Sequence, residues 1–528
     1  MLNSSQLNLD YDSVNIYGID NNFVYVGSKN DIFMESLRRF FTNKMKNARF
    51  IPSVMAGNWD GNIRFLKNNN SLPKGLLPEC INHLKEREIP YHLSEDLKNS
   101  LLNIDDFETI IRKELIEKQK TVIEPWEHQW ELAKALINSK RGIIRAATSS
   151  GKSYVITMAM KYLLYKQLVN KILLVVPRLD LVSQFHNDCI NFGFDEKDLG
   201  KFYGGEKNLN SSIRISTWQS LQNVSDPQFF HEFDCLIIDE CHLSGISDKN
   251  IAKKNPTTIL RKICDQCINA TWRLGCTGTM PKDILDIRTV VGGLGPVVKE
   301  VTAVNLMQKG HVTKLKIIAP FISYDKETVR IKIREYLSEM GISDDTPKKD
   351  IDHRTLFAAE RRFIENYVPR FKMIGNIVKS RLEKNENILI LANTVEYGKN
   401  LVKIIEYMGK GLINKIEHIY GEIDEKKRIA IREEMERSER IIIVATTSLF
   451  STGISVKKLH CVLFANIGKS EIQVLQSIGR SLRIHETKDV ATVYDISDNL
   501  RYNAKQAQER FKSYASEDFD LNIMEINL

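Results

Sequence analysis

The chain has 528 residues, 42% hydrophobic and 27% charged, with a formal net charge of +8 and a pI near 8.8. That length leaves room for about three or four domains, the composition excludes a low-complexity polymer, and the mild positive charge is compatible with a polyanion without requiring one. No uninterrupted apolar run is long enough to cross a bilayer, and the opening MLNSSQLNLDYDS lacks the basic start and apolar stretch of a secretion signal, so no membrane partner and a cytoplasmic location are expected.

Residues 1–120 read as a small, separate α+β domain. Strand-like SVNIYGI and NFVYVGS lead into helix-like DIFMESLRRFFTNKM and then a Gly/Pro/Asn-rich run. From Lys29 to Lys74 nine basic residues face only three acids, with Phe40, Phe41, Phe50, Trp59 and Phe65 interleaved. Cations for phosphates and flat rings for bases make a nucleic-acid surface, with Arg38, Arg39, Lys44, Lys46, Trp59 and Arg64 as its candidate contacts. The alternative is that the aromatics are simply the domain's core. Deleting residues 1–110 is expected to weaken nucleic-acid binding while leaving the nucleotide cleft of the later residues intact.

From about Thr121 short β-branched runs alternate with longer helical segments, the pattern of parallel α/β sheets. Buried-strand candidates are 171–177 (KILLVVP), 235–239 (CLIID), 387–392 (NILILA), 441–445 (IIIVA) and 461–465 (CVLFA). They form two clusters, around 140–280 and 385–495, separated by a charged, helix-patterned stretch at 323–370. Ligands of such sheets bind at the loops after the strands' carboxyl ends.

The first of these loops is Ala146-Ala147-Thr148-Ser149-Ser150-Gly151-Lys152-Ser153, between strand-like GIIRA and helix-like YVITMAMKYLLYKQ. Backbone N–H groups around Thr148, Ser149, Ser150 and Gly151 would wrap phosphate oxygens. Lys152 would neutralise the β- and γ-phosphates, and the Ser153 hydroxyl would ligate Mg2+. Taken alone, a Ser/Gly-rich turn before a helix also serves as a cap. The run ending in Asp239-Glu240-Cys241-His242 then places two acids at a sheet edge, expected to face the phosphate loop of a neighbouring strand. Asp239 would hold Mg2+ and Glu240 would polarise the attacking water, with His242 placed to link the site to the second lobe. Cys264 and Cys267 lack the second half of a zinc site and read as ordinary helix-borne thiols.

With these residues in hand, the chain resembles the superfamily 2 helicases, whose DExH box matches Asp239-Glu240-Cys241-His242 and whose motif I tolerates Ala146. Further motifs follow in that family's order. Residues 176–185 (VPRLDLVSQF) and 215–221 (ISTWQSL) look like motifs Ia and Ib, which implies backbone contacts to nucleic acid by Arg178 and Thr217. Thr277-Gly278-Thr279 resembles motif III, and residues 445–454, with Gly453 at the nucleotide, resemble motif V. Residues 473–483 (QVLQSIGRSLR) resemble motif VI, with Gln476 and Arg480 in catalytic roles and Arg483 as the arginine finger. Two arginines three apart on one helix face could both reach a γ-phosphoryl group and stabilise its developing charge. Gln129 matches the family's adenine-reading glutamine, with Trp126 and His128 as candidate stacking rings.

Residues 57–64 (GNWDGNIR), 72–76 (LPKGL) and 450–457 (FSTGISVK) further resemble the recombination helicases of T-even-like phages. The resemblance implies two tandem RecA-like parallel-sheet lobes and a small α+β amino-terminal domain, divided as 1–120, 121–312, 313–505 and a tail at 506–528. It implies ATP and Mg2+, branched or partly single-stranded DNA (forks, Holliday junctions, R-loops with their RNA), phage replication and recombination proteins as partners, and the cytoplasm of an infected bacterium. An RNA helicase or a double-strand DNA translocase on the same engine, and a scaffold without turnover, are the competing readings.

Overall fold

The continuous apolar runs become parallel strands buried on both faces, which is why they read as unbroken rather than alternating. The computed structural model describes residues 9–46, 48–98, 102–119, 121–147, 149–203, 206–207, 210–244, 259–343, 345–347, 350–421, 425–446, 456–466 and 485–528. The chain divides into two units, Met1–Val301 and Thr302–Leu528.

The first unit opens with β1 (Val14–Gly18) and β2 (Phe23–Gly27). A separate antiparallel ribbon of β3 (Thr42–Lys44) and β4 (Asn62–Arg64) follows. The strands β5 (Ser71–Pro73) and β6 (Tyr91–Leu93) complete a sheet ordered β5-β2-β1-β6. Helices Asp31–Phe40 and Leu77–Glu86 bury Met34, Leu37, Cys80 and Leu84 in one core with Val14, Ile16, Val24 and Val26. Asn30 caps the first of these helices by accepting from Ile32 N–H.

The larger sheet of this unit contains β7 (Arg141–Ala146), β8 (Ile172–Val176), β9 (Leu199–Tyr203), β10 (Glu206–Lys207), β11 (Ile213–Thr217), β12 (Cys235–Asp239), β13 (Trp272–Thr277) and β14 (Val297–Val301). Its order is β10-β9-β11-β8-β12-β13-β7-β14, parallel except for β10 on β9.

The second unit holds β15 (Lys314–Ser323), β16 (Ile388–Ala392), β17 (Lys415–Ile419), β18 (Ile441–Thr446), β19 (Cys461–Phe464), β20 (Val490–Asp495), β21 (Ser497–Asp498) and β22 (Asp520–Asn527). The order is β17-β18-β16-β19-β20-β15-β21, with β22 alongside β15. The segment 506–528, expected as a tail, is built into this lobe. Helix Arg501–Ser516 buries Arg510 and Tyr514 on Asp495, at 2.8 Å for Arg510 Nε and 2.8 Å for Tyr514 Oη, and β22 pairs with β15 from Lys316 to Ser323. The 323–370 stretch is mostly two helices, Lys326–Glu339 and His353–Asn366, packed around Leu337, Leu356 and Ala359. Among the described residues no helix is long and apolar enough to cross a membrane.

Residues 1–120 are less separate than their composition suggests, because three arginines of the first lobe bind the amino-terminal domain. Arg273, on β13, donates to the carbonyls of Ala270, Cys264 and Cys267 and to Asn22 Oδ1. Arg141 joins the Gly293 carbonyl (2.9 Å) to the Asn21 carbonyl. Arg288 forks onto Glu79 Oε1 (3.0 and 2.7 Å), reaches the Phe40 carbonyl (2.6 Å) and Asn43 Oδ1 (2.8 Å), and lies over the Phe40 ring. Leu285 of the lobe sits inside the amino-terminal core, and a Cβ on Gly75 would fall 1.9 Å from the Val291 carbonyl. Cys264 and Cys267 are buried thiols whose carbonyls serve this clamp; burial raises the affinity of both for their protons. Among the described residues no cluster of three or more His, Cys, Asp or Glu side chains could hold a metal ion.

A buried guanidinium stripped of its partners is strongly destabilising. Removing residues 1–110 should therefore lower the urea stability of the first lobe by about 3–5 kcal/mol. Unchanged unfolding in the shortened chain would contradict this.

Candidate nucleotide site and nucleic-acid surface

The strand β7 ends at Ala146 and the chain turns sharply before helix Lys152–Tyr165. Ser149 and Gly151 both adopt left-handed backbone, with φ of 70° and 81°, a conformation that costs a non-glycine residue energy and is tolerated mainly at functional turns. Alternating such residues with right-handed ones points successive N–H groups inward, the geometry of an anion-binding nest. Gly151 has a second reason to be glycine, since a Cβ there would lie 2.1 Å from Gln129 Nε2.

The loop is gripped from the side. His128 Nε2–H and the Gln129 amide donate to the Ser150 carbonyl at 3.0 and 2.9 Å, and Gln129 Oε1 accepts from Trp126 N–H at 2.9 Å. His128 is buried in this role and is not a free ring for adenine; Trp126 is half-buried. Lys152 Nζ donates to the Ala146 carbonyl at 3.1 Å. Ser153 is on the first turn of the helix, where the macrodipole favours anions.

The strand β12 delivers Asp239 and Glu240, the latter also left-handed at φ 50°. These acids do not sit on a strand next to the phosphate loop, as the sequence suggested, because β13 lies between β12 and β7. That middle strand ends in Thr277, whose hydroxyl is 2.8 Å from His242 Nδ1, 2.8 Å from the Thr279 carbonyl and 3.5 Å from Glu240 Oε2. His242 Nδ1 is also 3.3 Å from Glu240 Oε2. Within this unit, then, His242 ties the carboxylates to Thr277.

Burial and the neighbouring Glu240 charge raise the proton affinity of Asp239. Glu240 is held low: burial opposes ionisation, but the His242 hydrogen bond and the Lys152 charge outweigh it. A carboxylate with raised proton affinity beside an ionised one favours a divalent cation. The hard oxygens of Asp239 and Ser153 suit Mg2+, which commonly takes one or two protein ligands and completes its shell with waters and phosphates.

Thr148, Gly453, Gln476, Arg480 and Arg483 lie outside the described residues. Arg178 is forked onto Asp180. Thr217 is only 3% exposed and caps helix Trp218–Leu221 by accepting from Ser220 N–H at 3.2 Å, so its hydroxyl serves the fold. In the amino-terminal domain Phe41 and Phe65 are core residues, and Phe40 and Trp59 pack against that core. Trp59 Nε1–H donates to the Asn62 carbonyl at 3.0 Å, and the ring is half-buried against that core. Arg64 is paired with Asp60, Arg39 with Glu35, and Lys46 with Asp283 of the first lobe at 2.9 Å. Arg38 bonds the neutral Asn70, and Lys44 is exposed. Sequence reasoning missed the grip of His128 on the loop and the central place of Thr277, which depend on strand order.

Gly151→Ala combines left-handed strain with the Gln129 clash and should weaken binding of a fluorescent ATP analogue by about a hundredfold, roughly 3 kcal/mol. Affinity within threefold of the parent chain would show that the loop needs no glycine there.

Comparison with known proteins gives three partial matches to family models: "Type III restriction enzyme, res subunit" over residues 112–282, "DNA helicase UvsW, N-terminal" over 13–96, and "Helicase conserved C-terminal domain" over 369–485. The ATP-dependent DNA helicase uvsW of Enterobacteria phage T4 is 30% identical over 98% of this chain and 100% of its own. A crystal structure of T4 UvsW aligns over 98% of this chain and 99% of its own with 27% identity and a TM-score of 0.48. A DNA-bound Type ISP restriction-modification enzyme, LlaBIII, shares the fold over 85% of this chain and 34% of its own, with 15% identity and a TM-score of 0.54. The first of these similarities extends end to end, and the chain belongs to the UvsW family of ATP-dependent helicases.

Proposed function

We propose that this helicase acts on branched DNA, remodelling forks, Holliday junctions and R-loops during recombination, repair and replication restart. The observation that carries the reading is the similarity that runs through the amino-terminal domain as well as both lobes, because the ATPase motifs alone do not distinguish DNA from RNA or single strands from duplex. Its partners are then branched or partly single-stranded DNA, the RNA of R-loops and phage replication and recombination proteins, in the cytoplasm of an infected host.

In this reading the nest after β7 binds the triphosphate and Lys152 offsets charge on its terminal phosphates. Ser153 and Asp239 hold Mg2+, which when bound neutralises charge building on the phosphoryl oxygens. Glu240, kept ionised beside His242, orients the attacking water. The bond Thr277 makes with His242 lets a change at the γ-phosphate reach β13 and the segment after it. Gln476, Arg480, Arg483 and Gly453 are the residues assigned to the same reaction by their motifs, the two arginines to stabilise charge developing on the γ-phosphoryl oxygens.

Lys152→Ala should lower ATP turnover by about a hundredfold or more while leaving fork affinity within a few-fold. The parent chain's ATPase should rise most with forked DNA, less with single strands and least with duplex RNA. Strongest stimulation by RNA would replace the DNA reading with an RNA helicase, and undiminished turnover in Lys152→Ala would remove the assigned site.

A further inference from the structure

The segment joining β3 to β4 presents large apolar side chains to solvent from a backbone that is tied down. Ala48 and Ile51 are buried, with Val54 and Trp59 packed beside them, and a Cβ on Gly61 would lie 2.6 Å from Ala48 Cβ. Backbone bonds run from Ile51 N–H to the Ala48 carbonyl (3.0 Å), from Met55 N–H to the Ile51 carbonyl (2.9 Å) and from Trp59 N–H to the Ser53 carbonyl (3.1 Å). On the outside of this scaffold Phe50 is 64% exposed and Met55 72% exposed. The Arg49 guanidinium lies 4.7 Å from the centre of the Phe50 ring. Side chains of this size are ordinarily buried, and holding them outward on a fixed turn removes most of the ordering that a partner would otherwise impose.

The surroundings select the partner. From Arg38 to Lys67 the chain carries seven Lys or Arg residues and one acid, Asp60. Among the described residues Arg38, Lys44, Arg49 and Lys67 make no ion pair, so their charges remain for phosphates. A protein surface with an apolar patch would be matched without this excess, whereas a nucleic-acid strand offers anionic phosphates and flat bases together. The foot of the ribbon is also bolted to the ATPase lobe. Arg288 holds Phe40 and Asn43, and Lys46 pairs with Asp283, the cap of helix Ile284–Leu294, six residues beyond Thr277.

We propose that Phe50, with Arg49 on its ring, is a stacking platform for an unpaired base of DNA where a duplex opens. The inference rests on the DNA reading above and adds the contact that distinguishes an opening junction from intact duplex. Stacking on an exposed ring is indifferent to base identity, which suits an enzyme that must act at any sequence.

The test uses the full-length chain and two DNAs of equal length, a fork with 2-aminopurine at its branch point and a blunt duplex. Phe50→Ala should weaken fork binding by about tenfold, abolish most of the 2-aminopurine response, and leave duplex affinity within about twofold. Phe50→Trp should restore both fork properties. Equal fork affinity and 2-aminopurine response in Phe50→Ala and the parent would overturn the platform while the DNA reading stands, and so would a loss of equal size on blunt duplex. Failure of the parent chain to bind either DNA would instead overturn the DNA reading and this inference with it.

Discussion

Two carboxylates held side by side at the edge of a buried sheet are the demand around which the first lobe is organised. At about 4 Å two like charges repel by about 4 kcal/mol at an effective dielectric near 20, and one of the two, Glu240, is held in a strained left-handed conformation. The strand order answers this demand. Placing β13 between β12 and β7 puts Thr277 beside Glu240 and His242, and Lys152 lowers the proton affinity of both acids. Among the described residues one lysine and His242 face the two acids, and a divalent cation with a triphosphate is the natural complement in the proposed reaction.

The second organising interaction is the capture of Arg141, Arg273 and Arg288 by the amino-terminal domain. Guanidinium groups form forks that match carbonyls and carboxylates in a fixed geometry, so each of these side chains locks orientation as well as distance. The consequence is mechanical. The helix that follows Thr277 carries Asp283 and Arg288, both tied to the ribbon of the first domain, so a displacement starting at the nucleotide site has a short, stiff route to the proposed DNA surface.

Much of this was legible in the residues because parallel strands buried on both faces leave continuous apolar runs. Five such runs coincide with β8, β12, β16, β18 and β19 to within a residue or two. The acidic motif follows one of these runs, β12, and the phosphate-binding loop follows β7, each recognisable from local spacing. The strand β22 escaped notice because it is short of continuous apolar character and lies largely exposed beside β15. Strand order is non-local, so the seat of Thr277 between the acids and the phosphate loop could not be read from spacing. The arginine clamp was hidden for a similar reason: Arg273 sits within an ordinary strand sequence, and its partner in the amino-terminal domain, Asn22, lies about 250 residues away. Basic residues invited a DNA assignment as a group, yet Arg64 and Lys46 are engaged by carboxylates that only the fold brings near.

The central claim is that the Asp239–Glu240 pair, faced among the described residues by Lys152 and His242, is completed by a divalent cation. Thermal unfolding of the parent chain and of Asp239→Asn, each with ATP in the presence and absence of Mg2+, addresses it directly. Relief of repulsion should raise the unfolding temperature of Asp239→Asn by about 2–4 °C without Mg2+, and the stabilisation that Mg2+ gives the parent should disappear. An Asp239→Asn chain that melts below the parent and still gains fully from Mg2+ would contradict the account.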